Sequence, residues 1–260
     1  MSFKDITIVI TSFKSSEIIT NCLNSINSEC HVIVVENSSD LLFKKKIENE
    51  FNNVECVLTG DNLGYGSANN IGLKKVNTKY ALILNPDALL EKNTLENFLI
   101  EVKKNKNFAI IGPLDQEKNN KIKINTNNNS SLTQVSNLKG FAMFLNLYEF
   151  NDVGFFDENF FLYFEEIDLC KRLSKHGKKI YLSNLIKINH LGGKSHHDSV
   201  NDEMELSRNW HWMWSTFYFH KKYNGFIISL IITLPKLISS SVKCLFYTLS
   251  LNKKKKNLFF

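Results

Sequence analysis

Three groups of acidic residues stand where carboxylates could do chemistry: Glu36-Asn37-Ser38-Ser39-Asp40, Asn85-Pro86-Asp87, and Glu165-Glu166-Ile167-Asp168. Asp87 follows Tyr80-Ala81-Leu82-Ile83-Leu84, an apolar run that reads as a buried strand. Pro86 cannot donate to a sheet ladder, so the strand ends there. That leaves Asp87 at a carboxyl end, where open α/β sheets bind ligands. Before the strand lies Asn62-Leu63-Gly64-Tyr65-Gly66-Ser67-Ala68-Asn69-Asn70-Ile71-Gly72, a glycine-rich loop opening a helix. A carboxylate facing such an amide-rich loop suits a divalent cation on a diphosphate, although Asp in a turn also serves as a cap.

The cluster at Glu165 follows Phe160, Phe161, Tyr163 and Phe164 and opens a helix that ends near His176-Gly177. Acids in a first helical turn complement the macrodipole. Three of them against aromatic bulk suggest more, because partial burial raises a carboxylate's pKa and makes it a better base. Consecutive helical residues point apart, so Glu165 and Glu166 take different roles. Asp168 and Arg172 are spaced to pair on one face, a structural use. Glu36 ends a second strand, where an acid contacts a ribose or base, while Ser39 or Asp40 can start the next helix. His190-Leu191-Gly192-Gly193-Lys194-Ser195 could close over a phosphate, or His190 could simply bond within its loop. His196 and His197 read as surface residues. No histidine–serine or cysteine–histidine pairing suggests a nucleophile.

The elements that must position these groups alternate without interruption. Strands are expected at Ile6 to Ile10, His31 to Val35, Val54 to Leu58, Tyr80 to Leu84 and Phe108 to Ile111. Helices between them begin at Ser16, carry Leu42, Phe43, Ile47 and Phe51, follow the glycine loop, or are capped by Thr94. This predicts an α/β fold: a Rossmann-like, mainly parallel sheet with helices on both faces. Right-handed crossovers put the polar turns after strands one, two and four on one edge, where they converge. Residues 115–137 read as an exposed loop with at most one weak hairpin, in preference to a gating lid. The segments from Leu138 to Arg172 read as an extension of the same sheet rather than a repeat of the first half.

With 260 residues, 43% of them hydrophobic, the chain can bury one large domain. The net charge of +6 is mild and concentrated in Lys253 to Lys256, which argues against a nucleic-acid face. Five scattered cysteines without a CxxC pair argue against a disulfide framework or a zinc site. Met1 to Asp5 run straight into a strand pattern with no signal-peptide pattern, so a reducing, cytoplasmic setting is expected.

The division expected is a catalytic domain over residues 1–222 and a tail over 223–260. In the tail, Ser229, Thr233, Lys236, Ser240, Lys243 and Ser250 draw a polar stripe along an otherwise apolar helix that Pro235 should kink. The uncharged run before Lys236 is short of the roughly 18 residues of a membrane span. The helix is expected instead to lie in a membrane interface, Lys253 to Lys256 on anionic lipid and the tryptophans of Trp210-His211-Trp212-Met213-Trp214 near the headgroups, in preference to packing on protein.

Several motifs together resemble one family. Ser12-Phe13-Lys14, Val35-Glu36-Asn37-Ser38-Ser39-Asp40, the Asn62–Gly72 stretch, Asn85-Pro86-Asp87, Gly140-Phe141-Ala142-Met143, Gly154-Phe155-Phe156-Asp157-Glu158, Glu165-Glu166-Ile167-Asp168-Leu169 and the segment from His190 to Ser195 are similar, in order, to motifs of the inverting family-two glycosyltransferases, rhamnosyltransferase-like branch. The resemblance implies the GT-A form of the α/β fold and single displacement from a nucleotide sugar. It makes Glu166 the base, with Glu165 the alternative. It places Ser12, Glu36, Asn37, Asn62, Gly64, Gly66, Asn69, Asn85 and His190 around the donor. Asp87, with His190, would hold Mg²⁺ or Mn²⁺. Glu36 and Glu166 each stand where the family usually has Asp, a methylene's difference of about 1.5 Å in reach. The acceptor implied is a glycan or lipid-linked oligosaccharide of a cell-surface polysaccharide such as an O-antigen, met at the inner face of the cell membrane, with dTDP-rhamnose a candidate donor. The competing readings are a non-catalytic nucleotide-sugar-binding protein and, on charge and aromatics alone, a nucleic-acid binder.

Overall fold

The structure is a computed structural model describing residues 2–114, 131–190 and 201–249, with only the backbone of residues 201–204. The expectations for the loop around Asn127, for residues 191–197 and for Lys253 to Lys256 lie outside the described residues.

The alternating half forms as the pattern predicts. Strands β1 (Ile6–Ser12), β2 (His31–Glu36), β3 (Val54–Leu58) and β4 (Tyr80–Leu84) alternate with helices α1 (Ile19–Asn24), α2 (Leu41–Glu50) and α3 (Tyr65–Lys74). These four strands are parallel, in spatial order β3-β2-β1-β4. Beyond β4 come β5 (Ala88–Leu90), α4 (Thr94–Lys104), β6 (Ile110–Pro113), β7 (Leu132–Gln134), β8 (Ala142–Asn146), α5 (Glu165–Lys175), β9 (Ile180–Ser183) and β10 (Ile188–His190). The second half does extend the same sheet, to eight strands ordered β3-β2-β1-β4-β8-β6-β9-β7. Here the sheet is mixed, because β8 runs antiparallel to both neighbours, β4 and β6, and β7 is antiparallel to β9. Strands β5 and β10 form a separate antiparallel pair that sets His190 opposite Ala88.

Successive β1 side chains serve opposite faces, as the pleat requires. Ile8 and Ile10 enter one core with Phe98 and Phe144, whose rings stack at 4.6 Å, while Val9 enters the other with Leu169 and Leu173. Local details differ from expectation at four places. Leu132–Gln134, within the stretch expected to be an exposed loop, forms edge strand β7 paired with β9. Helix α1 begins at Ile19, after a turn in which the amides of Ile18 and Ile19 donate to the Ser15 carbonyl. Leu42, expected on the buried face of α2, is exposed, and only Phe43 and Ile47 of that helix are buried. Thr94 is the first residue of α4 rather than its cap, and its hydroxyl donates to the Lys187 carbonyl at 2.6 Å. Asp40 does cap α2, accepting from the Phe43 amide at 2.9 Å.

Helices α6 (Asn201–Asn224) and α7 (Phe226–Leu249) form an antiparallel hairpin. The turn falls on Gly225, whose φ of +89° is a conformation glycine adopts without a Cβ penalty. Helix α7 is assigned continuously through Pro235.

Candidate active site

The loops after β1, β2 and β4 do converge. Thr11, Phe13 and Ser15, then Asn37, then Asn85 and Pro86 line one cavity of about 180 Å³ together with Asn62, Gly64 and Tyr65. Its wall is locked by two asparagines. Asn37 donates to Asn62 Oδ1 at 2.8 Å and accepts from the Leu63 amide at 3.0 Å, while Asn62 Oδ1 also accepts from the Gly64 amide at 3.1 Å. The Tyr65 amide donates to the Phe161 carbonyl at 2.8 Å. Three successive loop amides are therefore satisfied inside the protein, so the expected cradle of amides aimed at a diphosphate is not what residues 63–65 form.

The glycines serve close packing instead. Gly64 has φ +82°, and a Cβ there would collide with the Phe161 carbonyl. Gly66 lies against Phe156 and Glu165, and Gly72 lets α3 settle onto Val9 and Val35. Asn69 is fully buried and donates to the Tyr65 carbonyl at 2.9 Å. Asn70, not singled out from the sequence, ties α3 to the downstream half through the Phe156 amide and carbonyl and Glu158. Its signal is its place in the motif, two residues before Gly72. Glu36 and Ser12 pair across β1 and β2 and are both buried. Burial pushes the Glu36 carboxyl up against the lowering effect of the Ser38 hydroxyl, which donates to it at 2.7 Å, and of the nearby Ser12 hydroxyl.

Asp87 is 1% exposed, and its Oδ1 lies 3.3 Å from His190 Nε2. Among the described residues neither atom has a hydrogen-bond partner, nor does the buried Oδ1 of neighbouring Asn85. The His190 ring stacks on Phe141 with centroids 4.4 Å apart and planes 8° apart. Because buried polar groups are normally satisfied, an unpartnered carboxylate oxygen beside an unpartnered imidazole nitrogen fits the binding of a cation. Among the described residues no cluster of three or more such ligands exists. The pair therefore suits a metal that takes its remaining ligands from phosphate oxygens and water.

The strand-end aspartate and the downstream acids are joined through one segment. The Asn85 amide donates to the Phe141 carbonyl at 2.8 Å, and the Tyr65 hydroxyl donates to the Gly140 carbonyl at 2.7 Å. Gly140 lies against both Tyr65 and Glu166. Phe141 and Glu166 together line a second cavity of about 280 Å³, with Gly112, Leu138, Ala142 and Leu182. Tyr65 is the side chain that senses all three acids: burial pushes its phenol up, and Glu165, Glu166 and Asp87 push it further. From sequence alone, Tyr65 is no more than the aromatic position of a motif.

Glu165 and Glu166 open α5, and among the described residues both have an Oε2 without a hydrogen-bond partner. Burial, then the neighbouring Glu166, raises the Glu165 carboxyl well above the ordinary range; burial likewise raises Glu166. The two differ in access: Glu165 is 5% exposed and packed on Gly66, whereas Glu166 borders the cavity. Tyr163 and Phe164, just before them, hold φ of +71° and +68°, left-handed values that non-glycine residues sustain only when surroundings enforce them. Trp212 and Phe219 of α6 pack on Phe164, Trp212 also meets Tyr163, and Ser215 donates to the Leu162 carbonyl at 2.7 Å. Asp168 pairs with Arg172 at 2.8 Å as expected, and also binds Lys222 at 2.6 Å and the Tyr223 hydroxyl at 2.7 Å. All five cysteines are free and buried, Cys22 Sγ lies 3.6 Å from the Asn85 carbonyl oxygen, and burial pushes Cys30, Cys56 and Cys170 up to about 12.

A mainly parallel sheet with acids and an asparagine-locked loop at its carboxyl edge, extended by antiparallel strands, defines a GT-A-type α/β protein. The profile of glycosyl transferase family 2 matches residues 7–171, so the chain belongs to that family. It is 26% identical over 201 residues to the low-salt glycan biosynthesis hexosyltransferase Agl10 of Haloferax volcanii, covering 68% of this chain and 64% of that protein. It is 27% identical over 238 residues to the rhamnosyltransferase WbbL of Escherichia coli K12, covering 78% and 88%. Among solved structures it resembles the mannosyltransferase PcManGT of Pyrobaculum calidifontis, in complex with GDP-Man and Mn²⁺, with a TM-score of 0.64 at 10% identity over 98% of this chain and 84% of that one. It also resembles residues 1–349 of S. aureus TarS, with a TM-score of 0.56 at 14% identity over 98% and 89%.

Proposed function

We propose that this transferase moves a hexosyl or deoxyhexosyl unit, rhamnose included, from a nucleotide-diphosphate sugar to a hydroxyl of a lipid-linked glycan. It does so with inversion, at the inner face of the cell membrane, in cell-surface polysaccharide synthesis of the O-antigen kind. The observation that carries this reading is Glu166, one oxygen unpartnered and its carboxyl raised by burial, opening on a cavity lined also by Phe141, on which the His190 ring stacks with Asp87 3.3 Å from its Nε2. PcManGT was solved with GDP-Man and Mn²⁺, and TarS with UDP-GlcNAc, which supports a nucleotide-sugar donor and a divalent cation for this chain too.

In this reading Asp87 and His190 hold Mg²⁺ or Mn²⁺, which supplies charge neutralisation at the leaving diphosphate. Glu36 faces the nucleoside, and the Asn37–Asn62 lock keeps the donor-side wall in place. Glu166 accepts the proton of the acceptor hydroxyl as its oxygen bonds to the anomeric carbon and the diphosphate leaves from the opposite face. The raised pKa matches that task, since a base works best with a pKa near the working pH. Glu165, packed away from the cavity, stands behind that base rather than serving as one.

The test is a thermal-shift panel of nucleotide sugars with and without Mn²⁺, followed by transfer assays. Glu166→Gln should retain the donor-induced shift and lose about 10²–10⁴-fold in kcat. Asp87→Ala should remove the Mn²⁺-dependent part of the shift. Donor binding without transfer or donor hydrolysis by the unaltered protein would favour the non-catalytic reading that Glu36 and Glu166 leave open.

A further inference from the structure

Helix α7 wears its polarity inside out. Its polar stripe faces α6: Ser229 and Thr233 are buried, and Lys236 sits over the Trp212 ring at 6.0 Å. The opposite face carries Ile227, Ile231, Leu234, Ile238, Val242 and Leu245, spaced four or three apart, and they are between 47% and 73% exposed. An apolar stripe of this length on a water-soluble surface marks an interaction site.

The 24-residue helix is long and apolar enough to cross a membrane. Its packing decides against that. Phe217 meets Phe226 near the turn, Trp212 meets Lys236 midway, and Leu206 and Lys243 line the same groove at the far end, so α7 runs along α6 for its length. Helix α6 is held to α5 and the loop before it by Lys222 on Asp157 and Asp168 and by Tyr223 on Asp168. With α6 fixed alongside, an α7 standing upright in a bilayer would carry Lys236, midway along it, and Arg208 and His211 of α6 into hydrocarbon, at several kcal/mol each.

We propose that α7 lies flat in one leaflet of an anionic bilayer, its outer stripe among the acyl chains, with the roughly 490 Å³ groove between α6 and α7 taking a lipid headgroup phosphate. Lys236 and Lys243 line that groove beside Trp210 and Trp212, the pairing of cation and interfacial aromatic that headgroups favour. The sequence just past α7 adds Lys253 to Lys256. This deepens the membrane part of the proposed function and rests on it. It also fixes what the membrane does there, because the Trp212 that borders the groove packs on Tyr163 and Phe164, directly ahead of Glu165 and Glu166.

The full chain, without sugar donor, should sediment with phosphatidylcholine vesicles containing phosphatidylglycerol and much less with phosphatidylcholine alone. Ile231→Glu with Leu245→Glu should cut vesicle binding at least ~10-fold while leaving the thermal midpoint and donor hydrolysis unchanged. Lys236→Gln with Lys243→Gln should flatten the dependence on phosphatidylglycerol. Nitroxide labels on the Ile231→Cys, Ile238→Cys and Leu245→Cys variants, measured singly, should all report one shallow depth. A label at position 238 far deeper than the other two means a spanning helix and overturns the proposal. So does full vesicle binding by the double glutamate variant, or a lipid-free dimer that the same variant disperses. Failure here leaves the donor-binding and transfer assays untouched, so it is distinct from failure of the transferase reading.

Discussion

Helices α5 and α7 both bury polar residues that a surface helix would expose, yet the two burials differ in kind. In α5, Asp168 is fully buried and reaches across to Arg172 on its own helix and to Lys222 and Tyr223 on α6. In α7, among the described residues, the Ser229 hydroxyl donates only to the Phe226 carbonyl at 2.6 Å, and that of Thr233 only to the Ser229 carbonyl at 2.7 Å. One helix uses its buried polar groups to hold distant segments together. The other turns them on its own backbone and leaves its apolar face outside. Within α5 the contrast repeats: Asp168 is fully matched, while Glu165 and Glu166 each keep an unpartnered oxygen. A matched buried carboxylate fastens the fold; an unmatched one that borders a cavity, as Glu166 does, is available to a substrate.

The comparison breaks first at Asp168. Asp168→Ala leaves Arg172 and Lys222 facing each other around a vacated buried site, so it should cost about 3–5 kcal/mol in urea unfolding. It should also loosen the α6 hairpin from Tyr163 and Phe164, which rest on Trp212 and Phe219. A loss below about 1 kcal/mol would mean that the node is not the fastening described.

Glu165 predicts the opposite sign. Its pKa is raised by burial and by Glu166, so over the window above the ordinary glutamate value the folded state holds a proton that the unfolded state has lost. Stability then falls as pH rises from that ordinary value towards the raised one, with a limiting slope of about 1.4 kcal/mol per pH unit for one group. Glu165→Gln should therefore be neutral near pH 4, stabilising at pH 7, and should flatten this part of the stability curve. A variant less stable than the parent at pH 7 would show the carboxylate to be satisfied after all.

The first half of the fold is legible in the sequence because its signals are local. Apolar runs such as Ile6 to Ile10 end in polar turns, and right-handed crossovers leave those turns one edge to share. The antiparallel place of β8 between β4 and β6 is not legible, since its pairing joins distant segments across residues with no clear period. At the site, Asp87, Glu165 and Glu166 can be read because a strand end and an aromatic wall flag them. That Asn37, Asn62 and Gly64 border one cavity can be read from their place at the sheet end, but what the loop amides bond to cannot, because the Phe161 carbonyl that takes the Tyr65 amide lies far along the chain. The polar residues of α7 can be read as a stripe, but periodicity says which residues share a face and nothing about which face the protein covers.

That last ambiguity leads to the smallest effect and the sharpest control. If the buried stripe of α7 bonds only to its own helix, its hydroxyls contribute little to the hairpin. Thr233→Val keeps the shape and removes one hydroxyl, whose only acceptor, the Ser229 carbonyl, lies within the same helix. The change should alter urea stability by no more than about 0.5 kcal/mol and leave vesicle binding intact. A loss of about 2 kcal/mol or more would mean that Thr233 reaches a partner on α6, and α7 would then be fastened as α5 is. In that case its exposed isoleucines would be the outer side of a rigid bracket, and the distinction between a helix that fastens and a helix that faces lipid would fail.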